Sequence, residues 1–272
     1  MATASDFVLT VPAAVAGQQV SVVLSRPSRQ YVASFTAAVA GLEEAVPMTV
    51  LSESDTKVIY GWDVPLSWCR ELPDSVSTAG ELRAAIAFDS AIDALDNPHV
   101  CTVTSAFTFY VPESVRPAAT LRCTLLNDNA VAEAWGLAIR DVSRLSFAVT
   151  AEGALGATVE DCTFFLGAQQ IAAFSGQTPP LSAVGTVVPA ARVTDSRGRS
   201  VTVEAAPLTV WDYHPPKLSG ISVMRCNSEG AVTAAATISR CGQALPAAPW
   251  TGATAYPSPC ASVPWTDSGA IP

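Results

Sequence analysis

The feature that most constrains this chain is the spacing of its apolar residues, which alternate with polar or small ones in short lots rather than recurring every three or four. Phe7, Leu9 and Val11 alternate, Ala16-Gly17-Gln18-Gln19 turns, and Val20, Val22 and Leu24 alternate again. A period of two places successive side chains on opposite faces, the pattern of half-buried antiparallel strands. It recurs through Tyr31 to Val39, Lys57 to Trp62, Glu81 to Phe88 and Val100 to Val111, where Cys101, Val103, Phe107, Phe109 and Val111 share one face. Ser77 to Ala87 also suits a short helix, but the strand reading is preferred. Turn-rich pieces, Leu72-Pro73-Asp74-Ser75 and Asp96-Asn97-Pro98, separate the runs.

With 272 residues the chain has room for two or three domains, each with its own core. It is 49% hydrophobic and 14% charged, which excludes disorder for want of apolar burial. No stretch approaches the roughly 18 to 20 unbroken apolar residues of a spanning helix, so no membrane is expected. Ala14-Val15-Ala16-Gly17 resembles a signal-peptidase site, yet no Lys or Arg precedes it and Pro12 interrupts the apolar run, against a secretory signal. A formal charge of −9 cannot assemble the basic face that nucleic acid requires. The seven cysteines include no C-x-x-C pair and are expected to be buried thiols of a protein made in a reducing cytosol.

Val111-Pro112-Glu113-Ser114-Val115-Arg116-Pro117 follows the long strand and reads as a linker, since two prolines remove ladder donors and stiffen the chain. A second block of strands is expected through Leu121 to Leu126, Leu145 to Thr150, Ala157 to Leu166, Val184 to Thr194 and Ser200 to Trp211, ending at Pro215-Pro216. Arg122-Cys123 stands after the first proline stretch and Arg225-Cys226 after the second, a separation of about one sandwich domain of roughly 100 residues. The expected order is a β-sandwich over 1–114, an immunoglobulin-like β-sandwich over 115–214, the start of a truncated third β domain over 215–241, and a proline-rich tail over 242–272. That last piece reads as a flexible tail or as the remainder of the third domain.

Little of the chain suggests chemistry. The two histidines, His99 and His214, fall in a turn and a proline stretch, with no G-x-S-x-G or H-E-x-x-H context. Asp89, Asp93 and Asp96 cluster with Asn97, but their spacing fits no EF-hand loop and a solvated turn is preferred to calcium binding. Glu160 and Asp161 are neighbours on a strand, so they face opposite sides and cannot act as a facing acid/base pair. Of the six tryptophans, Trp62, Trp68, Trp135 and Trp211 suit a sandwich core better than a sugar platform, while Trp250 and Trp265 are expected to be exposed. No catalytic residue, cofactor or metal is therefore expected.

The most specific local signal is Val193-Thr194-Asp195-Ser196-Arg197-Gly198-Arg199-Ser200-Val201, two β runs joined by a turn. Asp195 can accept backbone donors across it, Gly198 can take a positive φ, and Val193 and Val201 point inward. After it come Val210-Trp211-Asp212-Tyr213, His214-Pro215-Pro216, and Ile221 to Cys226 followed by Asn227-Ser228-Glu229-Gly230. This order resembles the immunoglobulin-like repeats in minor structural proteins of tailed bacteriophages and prophages of Gram-positive bacteria. There a D-S-R-G turn, a Y-x-P-P linker and an R-C-x-x-x-G opening follow one another. Trp62-Asp63-Val64-Pro65-Leu66 with Leu72 to Ser75, Phe107 to Pro117, Trp135 to Arg144 and Gly153 to Ala157 are similar to earlier parts of the same family.

The resemblance covers most of residues 1 to about 240. It implies an all-β fold of tandem immunoglobulin-like sandwiches in a virion tail or tail tip, made in the bacterial cytoplasm. Partners would be other phage tail proteins and a host cell-wall glycan or surface protein, with no catalytic residue to carry over. The motif residues that it marks as structural are Asp195, Ser196, Arg197, Gly198, Pro215, Pro216, Arg225 and Cys226. In that family the third domain continues with further strands, where this chain turns proline-rich. The alternative reading is a bacterial surface adhesin or carbohydrate-binding module.

Overall fold

The computed structural model describes residues 3–88, 101–213, 217–225 and 232–239. The first run of strands is β1 (Val8–Thr10), β2 (Ala14–Val15), β3 (Gln19–Ser25), β4 (Tyr31–Val39), β5 (Leu42–Val46), β6 (Thr49–Glu53), β7 (Lys57–Asp63), β8 (Ser77–Phe88) and β9 (Cys101–Tyr110). There follow β10 (Ala118–Asn127), the helix α1 (Ala130–Trp135), β11 (Ala138–Ile139), β12 (Ser143–Glu152), β13 (Val159–Leu166), β14 (Gln169–Ala172), β15 (Ser175–Gln177) and β16 (Gly185–Val187). The last are β17 (Pro189–Asp195), β18 (Ser200–Glu204), β19 (Leu208–Trp211), β20 (Lys217–Arg225) and β21 (Val232–Ser239). A short 3-10 helix, Leu66–Glu71, follows β7.

Two compact units result. One takes in residues 1–120, 149–163 and 191–203; the other takes in 121–148, 164–190 and 204–272. They interleave along the chain rather than following the sequence divisions 1–114 and 115–214. Within the first unit, the side chains of Arg197 and Arg199, described below, bind carbonyls far upstream.

In the first unit a four-stranded sheet, β1-β3-β7-β6, faces a five-stranded one, β2-β9-β8-β4-β5. Strands β3 and β7 pair antiparallel from Gln19↔Asp63 to Ser25↔Lys57, and β8 and β9 from Ser77↔Tyr110 to Ile86↔Cys101. The alternation seen in the sequence becomes burial: Val22, Leu24, Val58, Trp62, Leu82, Ile86 and Phe109 are each at most 1% exposed. Ala, Leu, Glu and Arg in β8 favour a helix intrinsically, but the pairing on both its edges decides for strand. At Gly80 a Cβ would lie 2.5 Å from the Phe107 ring, so only glycine admits that ring across the ladder.

Three aromatic rings fix the centre. Trp62 lies edge-on to Phe107 at 5.4 Å and tilted against Trp68 at 5.8 Å. Trp68 sits on the 3-10 helix, 2% exposed, and its indole N–H donates to Glu44 Oε2 at 3.0 Å. The stretch that reads as a linker is packed: Val111 and Val115 belong to this core, 3% and 6% exposed.

The second unit has a smaller core of Ala138, Leu145, Phe147, Phe164, Leu166, Leu181 and Val210. Phe147 and Phe164 stack at 4.0 Å with an interplanar angle of 5°. Its strands contribute to the sheets β10-β12-β15, β11-β19-β16 and β14-β13-β17-β18, and β20 pairs with β21. Val184 to Thr194, which reads as one run, is two strands that part at Val188; Ser200 to Trp211 parts at Ala205-Ala206-Pro207. In both cases a proline, Pro189 or Pro207, marks the change, because it removes a ladder donor.

Candidate functional site

The most specific motif of the sequence lies at the β17–β18 connection and belongs to the first unit. The turn closes through Gly198 N–H to Asp195 O at 2.8 Å and Asp195 N–H to Arg199 O at 2.9 Å. Gly198 has φ 75°, a left-handed conformation that glycine adopts without a Cβ penalty. Asp195 is fully buried; its Oδ1 accepts the backbone N–H of Arg197 at 3.1 Å and of Arg199 at 2.9 Å, an Asx arrangement that holds the turn shut. Val193 is fully buried and Val201 half-buried.

The side chains that leave this turn reach much further than its local geometry requires. Arg197 is 8% exposed, and its guanidinium donates four hydrogen bonds, all to main-chain carbonyls. Nε binds Leu72 O at 2.7 Å, Nη1 binds Ala154 O at 2.7 Å, and Nη2 binds Cys69 O at 2.7 Å and Leu155 O at 2.6 Å. The carbonyls of Cys69 and Leu72 stand at the end of the 3-10 helix, where the dipole is negative; that of Cys69 also accepts the Leu72 N–H at 3.2 Å. A planar cation with five donors satisfies several of them at once, which an ammonium cannot do.

The second pair of acceptors comes from a tight loop. Leu155 and Gly156 both have positive φ, 46° and 88°, and at Gly153 a Cβ would lie 1.9 Å from Ala157 O. That backbone folds so closely that Gly153 admits no side chain, and it turns two consecutive carbonyls, of Ala154 and Leu155, toward Arg197. Ser196 adds a further tie: its N–H donates to Thr158 O at 2.9 Å, its Oγ accepts from Thr158 N–H at 3.0 Å, and its hydroxyl donates to Pro73 O at 2.6 Å. Arg199 donates from Nη1 to Pro112 O at 2.5 Å and from Nη2 to Val111 O at 2.6 Å. Asp195 to Arg199 thus cross-tie residues 69–73, 111–112 and 154–158.

The hydrogen bonds that the Arg197 and Arg199 guanidinium groups make all go to carbonyls within the unit, a fastening of its backbone. Of the other motif residues, Pro215, Pro216 and Cys226 lie outside the described residues, as do His99, His214, the Asp89–Asp96 cluster, Trp250, Trp265 and the proline-rich piece. The backbone of Arg225 closes β20 opposite Val232. Glu160 and Asp161 are both exposed. Trp62 and Trp68 are core residues; Trp135 and Trp211 are half-buried, Trp135 lying edge-on to Tyr213 at 6.4 Å. Among the described residues no three His, Cys, Asp or Glu gather as a metal would require, and no helix is long and apolar enough to cross a membrane.

Four cysteines are free thiols among the described residues: Cys69 and Cys162 buried, Cys101 and Cys123 half-buried. Burial raises all four thiols above their ordinary range; at Cys69 the nearby Arg197 and Arg199 oppose that rise. Burial also raises the Tyr60 phenol. A raised folded value means that the native state holds its proton more tightly, so the corresponding stability is intact below the unfolded value and is lost as pH climbs through the folded one. Stability is accordingly expected to fall from about pH 8.5 upward. At neutral pH the native chain should leave Cys69 and Cys162 unlabelled by iodoacetamide, with labelling only after denaturation; rapid native labelling of either would contradict their burial.

The fold and this motif together define a class: a protein of tandem immunoglobulin-like β-sandwiches whose signature turn is structural. The chain belongs to a siphovirus family, described as siphovirus protein of unknown function (DUF859), which it matches over residues 4–241. It is therefore a phage-type protein. No curated protein matches it. Among solved structures it is similar to the fibronectin(III)-like modules of Clostridium thermocellum CbhA, at 12% identity over 76% of this chain and 94% of that one, with a TM-score of 0.29. A tetra-tandem repeat in the extending region of a large adhesion protein is 15% identical over 85% of this chain and 63% of its own, TM-score 0.27. Murine CEACAM1b is 8% identical over 75% of this chain and 100% of its own, TM-score 0.30.

Proposed function

We propose that the chain is a non-enzymatic minor structural protein of the siphovirus tail or tail tip, whose sandwiches act as spacers and as contact surfaces. The observation that carries this reading is membership of a siphovirus family by a chain of tandem sandwiches whose most specific polar residues are consumed in fastening the fold. A binding or catalytic protein would be expected to leave such donors facing a cleft. Arg197 turns them inward instead. Its partners are other tail proteins and, at the host, a cell-wall glycan or surface protein. The sequence order Asp195-Ser196-Arg197-Gly198, Tyr213-His214-Pro215-Pro216 and Arg225-Cys226 supports the tail assignment through its resemblance to tail proteins of phages of Gram-positive hosts.

The test is mass spectrometry of purified virions from an induced or infected culture. Peptides of this chain should sediment with the particles at a level comparable to other minor tail proteins. Their consistent absence, with those other proteins detected, would overturn the assignment.

A further inference from the structure

Each unit ends on the same small ladder. In the first, β2 pairs parallel with β9, the strand that leads into the first proline stretch, through Ala14↔Phe109 and Val15↔Tyr110. The next residue, Ala16, donates its N–H to Tyr110 O at 3.0 Å. In the second, β11 pairs parallel with β19, the strand that leads toward Pro215-Pro216, through Ala138↔Val210 and Ile139↔Trp211. The next residue, Arg140, donates its N–H to Trp211 O at 2.9 Å. The two ladders have the same length and the same closing bond. Ala14, Ala16 and Phe109 in one, and Ala138, Ile139 and Val210 in the other, are buried, so water has little access to replace a bond that is strained.

We infer that these parallel ladders are shear clamps, and that each unit is built to carry tension along the chain. Strands of a parallel pair run the same way. The chain enters each ladder at the N-terminal end of the short strand and leaves at the C-terminal end of its partner, which are opposite ends of the ladder. Tension therefore slides one strand along the other and loads all the bonds together. In a hairpin such as β4 with β5, which closes at Val39↔Leu42, the two free ends lie side by side and the bonds open one after another. The leaving ends are fastened as well. In the first unit Val111 N–H donates to Val76 O at 2.9 Å, and Arg199 holds Val111 O and Pro112 O. In the second, Arg140 Nη2 meets Asp212 Oδ1 at 2.9 Å, and Trp135 lies edge-on to Tyr213. The inference rests on the geometry of each unit by itself, so it stands or falls separately from a place in the tail.

Single-molecule pulling of the full chain, held at its two ends, tests it. The wild type should give two force peaks, one freeing about 330 Å of chain for the ladder that spans residues 16–110 and one about 250 Å for that spanning 140–211, at about 3.5 Å per residue. Ala16→Pro removes the N–H of the first closing bond, one of the few that share the load, and should lower only the longer peak, by roughly a third or more. Arg140→Pro should do the same to the shorter peak alone. Circular dichroism first establishes that each variant is folded. Unchanged forces in folded proline variants would overturn the inference. So would wild-type peaks that free much shorter lengths, because a chain that peels strand by strand has no clamp, and that outcome needs no variant.

Discussion

Replacing Arg197 by Met is expected to destabilise the first unit by about 3 to 5 kcal/mol, because four buried hydrogen bonds would be lost at once and the carbonyls of Leu72 and Leu155 would lose the guanidinium, while those of Cys69 and Ala154 each keep one backbone donor. At about 2 to 4 °C per kcal/mol for a body of this size, thermal melting should shift down by roughly 10 °C. Lysine is not a conservative replacement. It keeps the charge but presents three donors from one point, so it cannot span acceptors on two separate segments, and it should recover less than half of the loss. The damage should reach beyond the turn, since the acceptors lie 42 to 128 residues away in sequence. Thermal denaturation followed by circular dichroism reads this directly; a Met variant within about 1 kcal/mol of wild type would show the hydrogen bonds to be dispensable.

The second large effect is expected at Trp62. Its side chain is fully buried between Trp68 and Phe107, and truncation to Ala removes a large apolar volume that a sandwich of fixed strand spacing cannot close around. The expected loss is about 3 to 5 kcal/mol. Trp62→Phe should cost much less, for two reasons. It keeps an aromatic ring against both neighbours, and it removes an indole N–H that is buried without a hydrogen-bond partner. Urea unfolding of the two variants separates the terms: equal losses in Phe and Ala would mean that ring contact contributes little.

Much of the strand content was legible because one face of each strand is buried and the other is not. Cys101, Val103, Phe107 and Phe109 do share a face, graded from half-buried to fully buried along β9. The chain directions that the alternation implied, and the glycine and aspartate of the signature turn, follow from local chemistry alone. The fastening by Arg197 does not. Asp195 and Gly198 suffice to make the turn, so nothing nearby requires the guanidinium to be buried, and its acceptors are backbone atoms that any residue type could supply. The same limit explains the stretch 111–117. Two prolines signal stiffness whether the chain is free or packed, and only Val111 and Val115 between them hinted at a core. Interrupted runs were harder still, since Val184 to Thr194 reads as one run and only Pro189 marks where one strand yields to the next.

The central claim is that Asp195 to Arg199 form a structural cross-tie that unites distant segments of the first unit. Hydrogen exchange, compared between wild type and Arg197→Met under native conditions, tests it most directly, because exchange resolves which segments open together. The cross-tie predicts that amides of residues 66–72, 153–158 and 195–199 lose protection jointly in the variant. Loss confined to residues 195–199, with the two upstream segments as protected as in wild type, would contradict it.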